Sequence, residues 1–179
     1  MKILAISGSL RSASSNTTIL RAISNLVSLE HQFSLFSGIG YLPHFNPDLD
    51  TEPSPKSVAH FREQLSWADL VAISTPEYAH GIPGSLKNAL DWVVGSGELV
   101  GKPIGLINLS APSTFAQASL IEILTVMSAK IVPRGCIALS LPRRSMTVEE
   151  IVGESEITSK LKETLCVWQS QLAVEAVEL

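Results

Sequence analysis

Two stretches of the chain hold most of the residues able to bind or transform a small molecule. The first is GSLRSASSN, residues 8–16. It offers hydroxyls from Ser9, Ser12, Ser14 and Ser15, an amide from Asn16 and one cation, Arg11. Many neutral donors and one charge suit a phosphate monoester. An amphipathic segment follows, and a helix N-terminus there would favour an anion through its amides and dipole. The plainer reading is a polar loop with Asn16 as an ordinary helix cap. There is no Walker loop and no G-x-G-x-x-G, which argues against ATP hydrolysis and against a dinucleotide fingerprint.

The second stretch is TPEYAHGIPGSLKNALDW, residues 75–92. Pro76 and Pro83 stiffen the backbone, and Gly81 and Gly84 allow close approach. A rigid loop of this kind can present N–H and C=O groups to the edge of a planar heterocycle. Tyr78 and His80 would put flat side chains at its rim. Glu77 taken alone is a solvated charge, and Leu86, Ala89 and Leu90 are helix packing. Trp92 lies off that apolar stripe, which predicts a contact outside the subunit.

The elements that must position these loops follow from periodicity. Ile3–Ile6 is a short apolar run, as expected of a strand buried on both faces. From Asn16 the pattern turns helical, with Ile19, Leu20, Ile23, Leu26 and Val27 on one face. A weaker strand is predicted at 32–36. Residues 37–56 hold four prolines and two glycines, which predicts a long irregular covering loop. Then come a helix at 57–67, a strand at 69–75 and a helix from Pro83 with Leu86, Ala89, Leu90, Val93 and Val94 inward. They are followed by a strand at 103–109, a helix at 114–129, a strand at 131–139 and a helix at 157–177. Strand and helix alternate five times, which implies a parallel sheet covered on both faces. The expected fold is a flavodoxin-like three-layer α/β/α sandwich, a five-stranded parallel sheet of order 2-1-3-4-5, forming a single domain over 1–179. Ligands of such sheets bind beyond the carboxyl ends of the strands, near the switch point between strands 1 and 3.

Composition narrows the function classes. Apolar residues make up 45% and charged residues 17%, which is low in charge for a chain that keeps its whole surface in water. The net charge of −4, with no Lys/Arg cluster, argues against nucleic acid as a partner. Cys136 and Cys166 lie far apart and near no His pair, so they are expected to be reduced thiols rather than metal ligands. No metal site is expected. His31, His44 and His60 lie off the two loops and are expected to be surface or packing residues. MKILAIS followed by Gly-Ser is no signal peptide, and no apolar run is long enough to span a bilayer. The expectation is a cytoplasmic protein without membrane partners.

The two loops resemble the motifs of the NAD(P)H-dependent FMN reductase family, which includes quinone, azo and chromate reductases. The first is similar to G-S-x-R-x-x-S-x-N, matched by Gly8, Ser9, Arg11, Ser14 and Asn16. The second is similar to P-E-Y-N-x-S-x-P-G-x-L-K-N-A-I-D-W. It is matched by Pro76, Glu77, Tyr78, Pro83, Gly84, Leu86, Lys87, Asn88, Ala89, Asp91 and Trp92. Ala79 stands in place of Asn, Gly81 in place of Ser, and SAPSTFAQAS in place of a Gly-rich stretch after the fourth strand. The resemblance implies FMN as cofactor, its phosphate on Ser9, Arg11, Ser14, Ser15 and Asn16. Pro76, Glu77, Tyr78 and Ala79 would border the ring, with Ser110 contributing a hydroxyl. It also implies NADPH or NADH as reductant, a small-molecule electron acceptor such as a quinone or free flavin, and a homodimer or homotetramer with Trp92 or Tyr78 near the partner. Turnover would be ping-pong with no catalytic side chain, because the flavin carries the chemistry. The small and flat residues Ala79, Gly81 and Phe115 imply a permissive acceptor site. The rival readings are a flavodoxin-type electron carrier and a flavin-binding regulatory protein.

Overall fold

A computed structural model describes residues 1–109, 115–143 and 145–175. Five parallel strands form its central sheet: β1 (Lys2–Ser7), β2 (Gln32–Phe36), β3 (Leu70–Ser74), β4 (Pro103–Asn108) and a fifth that is broken in two, β5 (Lys130–Ile131) and β6 (Ile137–Ala138). The order is β2-β1-β3-β4-β5, and β6 also pairs with β4. This is the flavodoxin-like order expected from the sequence. Ser7 stands opposite Ser74 and Ser74 opposite Ile107, so the ends of β1, β3 and β4 lie side by side.

The strands are apolar throughout because both faces are covered. Leu4, Ile6, Val71, Ile73, Ile104 and Leu106 face one core, completed by α2 (Lys56–Trp67), α3 (Gly84–Asp91) and α4 (Phe115–Val126). Ile3, Ala5, Leu70, Ala72 and Ile107 face the other, completed by α1 (Ser15–Leu26), α5 (Val148–Gly153) and α6 (Ser155–Glu175).

The elements differ from the sequence expectation at several points. The strand expected over 131–139 is interrupted by a 3-10 turn at Pro133–Gly135. Trp168 of α6 fills that gap. Its indole N–H donates to the Gly135 carbonyl at 2.9 Å, and a Cβ on Gly135 or Gly105 would lie 2.5 or 2.4 Å from the indole. The helix α5 was not expected. It is short, and it starts on a capping box in which the Thr147 hydroxyl accepts from the Glu150 amide while the Glu150 carboxylate accepts from the Thr147 amide. Finally, α3 ends at Asp91, so Val94 is exposed instead of inward.

The irregular segment 37–56 includes two 3-10 turns, Ile39–Tyr41 and Pro47–Leu49. It is pinned over the end of α3. Asn88 accepts from the Phe45 amide at 2.7 Å and donates to the Pro43 carbonyl at 2.9 Å. Trp92 donates to the same carbonyl at 2.7 Å, and its ring meets Phe45 edge-on at 5.2 Å. Arg62 of α2 adds bonds to Asp50 at 2.8 Å and to the Trp92 carbonyl at 2.6 Å. Trp92 is therefore fully buried within its own chain. The expectation that it reaches a partner subunit is wrong: the off-stripe aromatic is covered by Pro43 and Phe45, nearly fifty residues upstream.

Candidate functional site

The loop after β1 is set by the way β1 ends. Gly8 continues the ladder, donating to the Ser74 carbonyl at 2.8 Å. A Cβ there would sit 2.3 Å from the Thr75 hydroxyl, so the loops after β1 and β3 leave the sheet in contact. Only glycine permits that approach. The Ser7 hydroxyl accepts from Thr17 Oγ1 at 2.9 Å and from the Ser9 amide at 3.3 Å, which curls the loop back onto α1.

Ser14, not Asn16, caps α1. Its Oγ accepts from the Thr17 amide at 3.3 Å, and its own proton remains available to donate. Asn16 sits inside the first turn with its side chain turned inward, its Oδ1 2.8 Å from the Ser74 hydroxyl. What Asn16 offers a ligand is thus its first-turn amide. Amides at that position lack an intrahelical acceptor. Ser9 accepts from the Arg11 amide at 3.4 Å, Ser15 is half-buried, and the Arg11 side chain is exposed. This donor set of hydroxyls, first-turn amides and one cation at a helix N-terminus fits the phosphate of FMN.

The loop after β3 is a tight hairpin. Tyr78 and Gly81 exchange both backbone hydrogen bonds at 3.0 Å. The two residues between them, Ala79 and His80, have φ of 48° and 59°. A two-residue turn of this hand requires φ > 0 at both positions and normally carries Asn-Gly. Ala and His hold it under strain. The His80 ring stacks on Phe115, with centroids 4.2 Å apart and planes 16° from parallel. Glu77 is no solvated charge: its Oε2 accepts from the Ala116 amide at 2.8 Å at the N-terminus of α4, where the helix dipole favours an anion. Tyr78 is half-exposed and Pro76 partly buried. The crevice floor is a cavity of about 20 Å³ whose lining includes Thr75, Glu77, Asn108 and Gln117.

Nine of the ten residues expected at the site thus lie on two adjoining loops and the first turn of α1, at one end of the sheet. The tenth, Ser110, lies outside the described residues, as does most of the loop after β4. Sequence reasoning missed Asn108 and Gln117, whose amides bond at 2.7 Å across the start of that loop. No local pattern marks either one. Among the described residues no group of three or more His, Cys, Asp or Glu converges as metal ligands would. Nor is any described helix long and apolar enough to cross a membrane.

A family model described as NADPH-dependent FMN reductase matches residues 1–142. The chain belongs to that family. It is 39% identical over 113 residues to an NAD(P)H-dependent FMN reductase of Pseudomonas aeruginosa, a match covering 62% of this chain and 60% of that protein. It is 31% identical over 138 residues to a quinone reductase of Escherichia coli, covering 73% of each. Among solved structures, the flavoenzyme NAD(P)H:(acceptor) oxidoreductase FerB of Paracoccus denitrificans superposes with a TM-score of 0.70 at 24% identity, covering 93% of this chain and 94% of that one. That likeness shows the shared fold. The family's second motif divides in two here. Pro76–Tyr78 lie on the loop after β3, with Glu77 lining the cavity there, whereas Asn88 and Trp92 pin the segment 37–56 and Lys87 pairs with Asp91.

Proposed function

We propose that the protein is an NAD(P)H-dependent FMN oxidoreductase that reduces quinones, flavins or similar small acceptors. The observation carrying this reading is the contact between the two loops at Gly8 and Thr75. It joins a phosphate-type donor set to a rigid ring-edge loop across the β1/β3 switch point. FMN, when bound, would supply the site's hydride-accepting and electron-donating chemistry. Arg11, Ser9, Ser14 and Ser15, with the Asn16 amide, would hold its phosphate. Pro76, Glu77, Tyr78 and Ala79 would border the ring, and Ser110 would add a hydroxyl. Fixing Glu77 on the Ala116 amide keeps that edge in place and its charge satisfied. Tyr78, His80 and Phe115 would wall the space shared in turn by nicotinamide and acceptor, which is a ping-pong order. The overall exchange takes NAD(P)H, a proton and a quinone to NAD(P)⁺ and a hydroquinone. No side chain of the crevice is required to relay a proton. We place the protein in the cytoplasm, as a homodimer or homotetramer with Tyr78 near the partner.

Purified protein titrated with FMN, then assayed for NADPH and NADH oxidation with an added quinone, tests the reading. Flavin binding with steady turnover supports it. Flavin binding without turnover identifies a carrier or regulatory protein instead, and absence of flavin binding removes the basis of both. Light scattering at micromolar concentration tests the assembly.

A further inference from the structure

A second cleft lies on the other side of the first loop. It occupies about 330 Å³ between α1, the end of β2 and the 3-10 turn at Ile39–Tyr41. That is within the usual range for a small-molecule pocket. It shares only Ser9 with the residues assigned to FMN. Its polar lining includes Ser9, Thr17 and Arg21. Arg21 is exposed at its mouth and has no hydrogen bond or ion pair among the described residues. Leu10 and Tyr41 also line it, and they are 61% and 83% exposed. Leu10 lies over residue 40 so closely that a Cβ on Gly40 would be 3.0 Å from its methyl group. Two large side chains left in water in the same cleft as a guanidinium with no partner among the described residues suit a flat ring beside an anion.

The position of the cleft selects the ligand. It opens at the carboxyl ends of β1 and β2, the same sheet end as the crevice. β2 lies two strand spacings from β3, roughly 10 Å. The phosphate loop runs between cleft and crevice, so one elongated molecule can cross it with a ring at either end. We infer that this cleft holds the adenosine end of the dinucleotide reductant, with Arg21 on the 2′-phosphate monoester that distinguishes NADPH and Tyr41 and Leu10 against the base. A monoester phosphate on the adenosine ribose carries more charge than the diester linkage, so Arg21 favours NADPH over NADH. The inference rests on the reductase reading for the identity of the dinucleotide, and on the cleft alone for nucleotide binding.

The test titrates FMN-loaded protein with 2′,5′-ADP and with 5′-AMP by calorimetry. The expected result is binding of 2′,5′-ADP at millimolar concentration or below, with 5′-AMP clearly weaker. Arg21→Ala should weaken 2′,5′-ADP by roughly tenfold to a hundredfold and leave 5′-AMP nearly unchanged, as the loss of a charge-assisted contact requires. Tyr41→Ala should weaken both nucleotides alike. In turnover, Arg21→Ala should raise KM for NADPH and leave kcat and FMN affinity unchanged. No binding of 2′,5′-ADP, or equal binding by wild type and Arg21→Ala, overturns the inference. So does release of FMN by 2′,5′-ADP, which would place the nucleotide in the phosphate loop. Binding of 2′,5′-ADP by a protein that fails to oxidise NADPH overturns the reductase reading and keeps the nucleotide site.

Discussion

The indole N–H of Trp92 donates to the carbonyl of Pro43 at 2.7 Å, so the last residue of the family's second motif fastens the segment 37–56 instead of facing the crevice. Trp92→Phe keeps the ring against Phe45 and removes only the donor. The Pro43 carbonyl still has Asn88, so the loss should be about 0.5–1.5 kcal/mol. Trp92→Ala removes the buried ring as well and should cost about 3–5 kcal/mol. Urea unfolding of the three proteins measures both, and limited proteolysis should cut first within 37–56 in the Ala variant. Equal stability of Trp92→Ala and wild type would show that the loop is not pinned as described.

The hairpin after β3 should gain from a residue suited to its backbone. Ala79 at φ 48° sits where a left-handed conformation costs an alanine roughly 1–2 kcal/mol, and Asn tolerates it better. Ala79→Asn should therefore stabilise the protein by up to about 1 kcal/mol, or roughly 2–4 °C in Tm. Ala79→Val should lower it. Adding Gly81→Ser is sterically open, since a Cβ there meets nothing nearer than the Tyr78 carbonyl at 3.8 Å. The double variant should also tighten FMN and lower kcat/KM for a bulky quinone more than for a small one. A melting scan and two quinone assays check this, and an unmoved ratio of the two would remove these positions from the acceptor site.

Arg11 and Ser14 separate binding from stability. The Arg11 side chain is exposed, so Arg11→Ala should leave the melting temperature unchanged and weaken FMN by roughly tenfold to a hundredfold. Ser14 caps α1, so Ser14→Ala should cost about 0.5–2 kcal/mol of stability and weaken FMN less than Arg11→Ala does. Flavin fluorescence quenching and thermal melts, run on both variants, distinguish the two roles.

Gly105 is held to glycine by one neighbour. A Cβ there would meet Trp168 at 2.4 Å, and that ring is fully buried. Gly105→Ala should destabilise the protein by about 1–3 kcal/mol through overpacking. In a Trp168→Leu background the same change should cost much less, because the smaller side chain vacates the space. A double-mutant cycle in urea reads the coupling directly. Additive costs would mean that the two residues do not compete for the same volume.

Those parts of the molecule that depend on local pattern were legible in the sequence. β1, β3 and β4 are apolar runs because helices cover both faces, and the loops that follow them carry the polar residues. What could not be read were pairings made at long range. Glu77 looks like a solvent charge until the Ala116 amide arrives from 39 residues away. The fifth strand looks continuous until Trp168 claims the space at Gly135. Trp92 looks unpartnered until the segment around Pro43 folds over it. The helix α5 is the exception, since the Thr147-to-Glu150 spacing of its capping box is itself a local signal. Asn16 shows the reverse: its type suggests a cap, but the cap is Ser14 and the helix already begins at Ser15.

The interruption of the fifth strand also bears on how the protein behaves at high concentration. An outer strand exposes a row of unpaired amides and carbonyls on which another chain can build, and long flat edges of this kind seed aggregation. Here that margin is reduced to two pairs of residues, Lys130–Ile131 and Ile137–Ala138. Between them Pro133 lacks an amide proton and the backbone coils into a 3-10 turn. An incoming strand would find two footholds out of register with any continuous ladder, with a lysine at the first. The cavity made for one tryptophan thus also closes a flank of the sheet to unwanted growth.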